Sequence, residues 1–161
     1  MTIQTITPFL WFNDNAEEAA KFYVSVFKNA TINMVTHYGD DMPMPKGTVM
    51  TVSFTLDGQD FMAINGGPTF SFTEAVSFLV PCKTQDEIDY YWDRLTADGG
   101  KPVECGWLKD KYGLSWQIVP ASLPQLLGGD AARSNRVMTA VLQMVKLDIA
   151  ALQKAADGKT P

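Results

Sequence analysis

Few side chains in this sequence are suited to chemistry, and they are scattered. The single histidine, His37, falls inside an apolar stretch next to Tyr38. No serine or cysteine nucleophile motif accompanies it, so histidine-dependent hydrolysis is not expected. The two cysteines, Cys82 and Cys105, form no CxxC and suggest neither a zinc framework nor a disulfide scaffold. Cys105, Trp107 and Lys109 alternate along one short strand. An aromatic ring and a basic tip there could clamp a planar or anionic ligand, and a nearby cation would lower a thiol pKa. Packing at a sheet edge explains the same residues equally well. Glu74 has no evident partner. It could act as a general base if burial raised its pKa, and is otherwise an exposed loop carboxylate. No GxGxxG pattern occurs, since Gly66-Gly67 and Gly128-Gly129 are isolated pairs.

The elements that must position these residues follow from local pattern. Residues 2–12 read as a strand interrupted by Pro8. Asn13-Asp14-Asn15 supply N-cap chemistry for a helix over 16–27, whose apolar residues Ala19, Phe22, Tyr23, Val26 and Phe27 share one face. Strands are expected over 31–38, 48–56 and 60–64, with a tight turn at Asp57-Gly58. The order then recurs. A strand over 75–80 precedes a helix that opens with the capping box Thr84–Glu87 and ends at Asp98-Gly99-Gly100. Strands follow over 101–104, 106–109 and 114–119, with a turn at Lys111-Tyr112-Gly113. The structural period is about 65–70 residues, longer than in solenoid repeats. Residues 122–161 change character. Val137, Val141, Met144, Ile149 and Leu152 make an apolar stripe of one or two helices, packed on the domain or on a partner chain. The expected division is therefore 1–121 as one domain, with modules of about 1–68 and 69–121, followed by a helical tail over 122–161.

Composition narrows the function classes. The chain has 161 residues, 46% hydrophobic and 19% charged, as expected for one folded domain. Thirteen Lys and Arg against eighteen Asp and Glu give a net charge of −5, which argues against nucleic acid or an anionic membrane as partner. No apolar run of about 18 residues is present, and the first residues lack signal-peptide features. A cytoplasmic protein is expected.

The order βαβββ, twice, resembles the vicinal oxygen chelate superfamily, which includes glyoxalase I, bleomycin-resistance proteins and extradiol dioxygenases. A narrower likeness rests on local text. Residues 6–12 (ITPFLWF), 16–23 (AEEAAKFY), 61–68 (FMAINGGP), 89–92 (DYYW), 105–110 (CGWLKD), 115–120 (SWQIVP) and 146–149 (KLDI) resemble PhnB-like proteins. Many of those carry the legacy name 3-demethylubiquinone-9 3-methyltransferase. The resemblance implies an α+β fold of glyoxalase-like paired βαβββ modules forming a cupped sheet, and a homodimer. In the superfamily's metalloenzymes a divalent cation sits in the cup, held mostly by His and Glu. The corresponding positions here are Pro8, Ala63, Ala75 (beside Glu74) and Gln117. Pro and Ala offer no side-chain donor and Gln is a weak one, so no metal and no cofactor are expected.

Strand alternation then assigns the cup face. It would hold Leu10 and Phe12, Phe61 and Asn65, Ser77 and Leu79, and Gln117, with Trp107 beside them. Ala63, Ser115 and Val119 share that face. Phe9, Trp11, Met62, Ile64, Val76, Phe78, Val80, Trp116 and Ile118 would meet the helices. A mainly apolar cup with a few neutral polar groups suits a small-molecule ligand. Metal-independent binding is the leading reading. Rivals are a metal- or Glu74-dependent lyase or isomerase, the methyltransferase of the legacy name, and a purely structural partner protein. Met42 and Met44, set among prolines, would form a lid.

Overall fold

The computed structural model describes residues 6–159. The expected strand over 2–12 therefore lies partly outside the described residues. The chain divides into two compact units, Met1–Phe72 and Thr73–Pro161. Each is taken by itself.

The first unit contains β1 (Phe9–Phe12), α1 (Ala16–Val26), β2 (Thr31–His37), β3 (Val49–Leu56) and β4 (Gln59–Asn65). Its sheet runs β1-β4-β3-β2, with β1 parallel to β4 and the other pairs antiparallel. Asp57 and Gly58 close the β3–β4 hairpin, both at positive φ (46° and 81°). This conformation matches the right-handed twist of the two strands and favours Asp-Gly. Helix α1 covers one sheet face with Ala16, Ala19, Ala20, Tyr23 and Val26, all buried. Beneath it lie Leu10, Phe12, Val52, Phe54, Leu56, Phe61 and Ala63. The Tyr23, Phe54 and Phe61 rings stack in sequence, at 6.2 and 5.4 Å between centroids.

The second unit repeats that topology with β5 (Ser77–Cys82), α2 (Gln85–Thr96), β6 (Lys101–Pro102), β7 (Trp107–Lys109) and β8 (Ser115–Pro120). The sheet runs β5-β8-β7-β6, again with a parallel first pair. The expected cap at Thr84 is present, with the return bond made one residue earlier than a capping box places it. Thr84 Oγ1 accepts from the Glu87 N–H at 3.2 Å, and the Glu87 carboxylate reaches back to the Lys83 N–H at 2.7 Å. Helix α2 buries Ile88, Trp92 and Leu95. Leu108, Trp116 and Ile118 are buried in the same unit.

The tail belongs to this unit. It forms three helices, α3 (Leu123–Leu127), α4 (Ala131–Gln143) and α5 (Ile149–Ala156). Val137, Val141, Leu147 and Leu152 pack with Leu126 and Val119 in one cluster, and Met144 packs against it. The expected apolar stripe is real, but Val137 and Val141 meet their own chain. Polar contacts fix the arrangement. Gln85 at the start of α2 donates to the Leu147 carbonyl (3.1 Å) and accepts from the Ile149 N–H (2.9 Å). Lys146 pairs with Asp89 at 2.7 Å, and that contact, with Gln85 second, holds the Asp89 carboxyl below its ordinary pKa. The backbone N–H groups of Cys105 and Gly106 donate to the Met144 and Val145 carbonyls.

Candidate functional site

In the first unit the helix-covered face and the expected cup face are the same face. Leu10, Phe12, Phe61 and Asn65 lie in the core under α1, with Ala63 fully buried between them. The residues expected to meet the helix stand on the other side. Phe9 is exposed, and Trp11, Met62 and Ile64 are half-buried. The register explains the consistency of the inversion. Leu10 pairs with Ala63 and Phe12 with Asn65, so a one-residue change of face moves all four together.

Asn65 acts as a structural bracket. Its Oδ1 accepts from the Ala16 N–H at 2.8 Å, its Nδ2 donates to the Val49 carbonyl at 3.1 Å, and its own carbonyl accepts from the Tyr38 hydroxyl at 2.5 Å. The local N-cap residue, Asn15, makes no side-chain cap bond. The cap therefore comes from a distant strand. A cleft of about 600 Å³ opens beside this bracket, lined by Asp14, Glu17, Glu18, Met44, Val49 and Asn65 among others.

On the open side of the first sheet, Trp11 lies flat against Gly66. A Cβ on Gly66 would come within 2.3 Å of the indole ring, and the ring Nε1 donates to the Gly67 carbonyl at 3.0 Å. Phe70 meets Trp11 edge-on at 5.0 Å. The lack of a side chain at Gly66 is a packing requirement of the indole.

The second unit places its four expected residues together on an open face. Ladder pairing arranges them in rows across β5, β8 and β7. Leu79 pairs with Gln117, and Gln117 with Trp107. One step along, Ser77 pairs with Ser115, and Ser115 with Lys109. Adjacent strands are about 4.8 Å apart and same-face residues about 6.8 Å apart along a strand, so six side chains share a small area. Leu79 is 56% exposed, and Trp107, Lys109, Ser77 and Gln117 are half-buried. Gln117 Nε2 donates to Ser77 Oγ at 2.9 Å. The other face carries Trp116 and Ile118 into the core, with Phe78 against Trp116 at 5.6 Å. Val76 is the exception to expectation there, being exposed in the turn before β5. Val119, the next residue on the open face of β8, packs into the tail cluster. The tail thus begins where the open face ends.

Two features of this face were not legible from sequence. Glu74 does have a partner, the Lys109 ammonium. The hydrogen bond from Lys109 is the main cause holding the Glu74 carboxyl below its ordinary pKa. A general base with a raised pKa is therefore not what the structure provides at Glu74. Secondly, Ser115 is 1% exposed, and its Oγ has no hydrogen-bond partner. Opposite charge on Glu74 and Lys109 was the available signal for the first. Nothing in the sequence marks the second.

The thiols are not poised for catalysis on this face. Cys82 is buried, and burial, with the Glu87 charge second, pushes its thiol up to about 12. Cys105 sits at positive φ (61°) in the turn before β7 and packs against the tail cluster. It does not join Trp107 and Lys109. Nor do the superfamily's metal positions fit a cation. Ala63 lies in the core under α1, its uncovered neighbours Met62 and Ile64 carry no imidazole or carboxylate, and Gln117 offers only a neutral amide, whose Nε2 donates to Ser77. Among the described residues no three His, Cys, Asp or Glu side chains converge as a metal site.

Comparison with known proteins agrees with this architecture. A family model described as 3-demethylubiquinone-9 3-methyltransferase matches residues 4–119, ending before α3. A PhnB protein from Bacillus cereus is 40% identical, over 72% of this chain and 99% of that one, with a TM-score of 0.66. Protein PA1353 from Pseudomonas aeruginosa is 21% identical over 73% and 98%, with a TM-score of 0.60. The fosfomycin resistance protein FosX from Listeria monocytogenes, solved with Mn(II) and sulfate, is 16% identical over 78% and 95%, with a TM-score of 0.51. These last two likenesses are of fold alone. A comparison with curated proteins returns no match.

Proposed function

We propose metal-independent small-molecule binding as the function of this chain, which belongs to the PhnB-like family described as 3-demethylubiquinone-9 3-methyltransferase and has the glyoxalase-like fold. The observation that carries the reading is the open face of the second sheet. Leu79 and Trp107 flank Gln117 there, and Ser77, Ser115 and Lys109 form the adjoining row. An apolar platform beside a few convergent polar groups is the usual composition of a small-molecule site. Metal independence rests on the donor set: on the side of the first sheet that α1 leaves uncovered, Phe9, Trp11, Met62 and Ile64 bring no imidazole or carboxylate, and Ala75 brings none in the second unit. The first unit's Leu10, Phe12, Phe61 and Asn65 enter this reading only as the core that shapes their sheet.

The test is a fragment titration followed by 15N–1H spectra, with EDTA present throughout and benzamide and other neutral aromatics as probes. Shifts are expected at Ser77, Leu79, Trp107 and Gln117, and Trp107→Ala should weaken the fragments about tenfold, in line with loss of an aromatic platform. Binding that appears only when Mn2+ replaces EDTA would overturn the reading in favour of a metal-dependent lyase or isomerase. Saturable binding of S-adenosylmethionine would instead support the transferase description.

The reading extends to a homodimer in the cytoplasm. Unbridged Cys82 and Cys105 support the compartment. No helix among the described residues is long and apolar enough to cross a membrane. The inward side of α4 is occupied by its own chain, so a dimer contact here would use Met138 and Leu142 of α4 and Val145 just after it, which are exposed. Sedimentation at micromolar concentration is expected to give twice the 17.8 kDa chain mass. Leu142→Glu should reduce it to the monomer, and a monomeric wild type would remove this part of the reading.

A further inference from the structure

We infer that the open face of the second sheet takes a carboxylate-bearing small molecule, whose anionic head replaces Glu74 on Lys109 and accepts the Ser115 hydroxyl. This rests on the binding function proposed above and names its ligand class. Three observations carry it. First, the face is divided by chemistry. One row across the strands is Ser77, Ser115 and Lys109, and the next is Leu79, Gln117 and Trp107. A ligand spanning both rows places a polar head on the first and a flat or apolar body on the second.

Second, the polar row already holds a carboxylate. Glu74 sits in the turn before β5 with its side chain 58% exposed, while Lys109 is 31% exposed. The less exposed partner is the cation on the strand, and the more exposed one is the anion on a turn. An exposed turn carboxylate contributes little to stability through such a pair and can leave at small cost. It marks where a ligand carboxylate would sit.

Third, the row contains a donor with nothing to donate to. Ser115 stands directly opposite both Ser77 and Lys109 in the ladder, and its buried Oγ has no partner. Buried hydroxyls are ordinarily paired, because an unpaired one carries its full desolvation penalty. A ligand oxygen held by Lys109 lies next to that hydroxyl and would satisfy it. A neutral ligand has no charge with which to replace Glu74 and would leave the Lys109–Glu74 pair in place.

The test compares sodium benzoate with benzamide, which share shape and differ in charge. Titrations are followed at Trp107 and Gln117 in 15N–1H spectra. Glu74→Gln removes the internal competitor and is expected to tighten benzoate about fivefold while leaving benzamide unchanged, the size expected for freeing one charge-assisted bond. Lys109→Met should abolish the preference for benzoate, and Lys109→Arg should keep it. Ser115→Ala should weaken benzoate about threefold without lowering the melting temperature, because no hydrogen bond of the free protein is lost. Equal affinity for benzoate and benzamide in the wild type and in Glu74→Gln would overturn the ligand class while leaving small-molecule binding intact. No shift on this face with any aromatic probe would overturn both.

Discussion

Asn65→Ala is expected to destabilise the protein by about 3 kcal/mol, whereas Asn15→Ala should cost less than about 0.5 kcal/mol. The difference follows from which asparagine caps α1. Asn15 occupies the N-cap position but makes no side-chain cap bond. Asn65, at the end of β4, accepts from the Ala16 N–H at 2.8 Å and is 6% exposed. Removing its amide leaves a buried N–H without an acceptor and the Val49 carbonyl without the Nδ2 donor. The first loss alone is worth about 1–3 kcal/mol, and a lost helix cap typically costs about 1 kcal/mol. Urea unfolding of both variants checks the ordering. Comparable losses, or a larger one for Asn15→Ala, would mean that the helix is held by its own local cap. Asn65→Ala should also leave fragment binding at Trp107 unchanged, since Asn65 belongs to the first unit's core.

Asn65 also shows where sequence reasoning stops. The asparagine, its strand and its buried polar character are all readable from local text. Its partner is not, because the bond spans 49 positions. The face inversion in the first unit has a related cause. On β1 both alternating sets are apolar, Leu10 and Phe12 on one side and Phe9 and Trp11 on the other. Alternation then groups residues correctly but carries no information about which group meets the helix. In the second unit the two sets differ. Ser77 and Gln117 alternate with Phe78, Trp116 and Ile118, so polarity alone assigns the helix side, and Trp116 and Ile118 are buried as expected. The repeat, the Thr84 cap and the Asp57-Gly58 turn depend on neighbouring residues and were legible, though Glu87 returns its bond to Lys83 instead of Thr84. The tail's stripe was legible as a stripe. That it meets Val119 and Leu126 rather than another chain depends on the return of residues 144–149 to Gln85, which no local pattern encodes. The same limit applies to Glu74, whose partner lies across a strand connection and a helix.

Asp110→Ala is expected to cost about 3–4 kcal/mol, less than the sum of the bonds it removes, because relieving a buried carboxylate offsets part of the loss. Asp110 is 3% exposed. Its Oδ1 accepts from the Tyr112 and Leu114 N–H groups at 2.9 and 3.1 Å, and its Oδ2 accepts from Trp116 Nε1 at 2.9 Å. The backbone adds two bonds, Gly113 N–H to the Asp110 carbonyl and Asp110 N–H to the Leu114 carbonyl. One side chain therefore closes the β7–β8 turn and ties it to the core indole. Asp110→Asn keeps an oxygen for the turn but sets an amide N–H against Trp116 Nε1–H, and should lose about 2 kcal/mol. Trp116→Phe removes that opposing donor. The double variant should therefore be more stable than the sum of the two single losses, with a coupling of about 1 kcal/mol in a thermodynamic cycle. Additive losses would mean that the indole contact contributes nothing to the carboxylate's role. The consequence reaches the binding face, because this turn sets the register that puts Lys109 opposite Ser115 and Trp107 opposite Gln117. A one-residue slip would send every one of those side chains to the other side of the sheet. Asp110 is thus a positioning residue, and its variants should lose affinity for aromatic fragments even at temperatures where they remain folded.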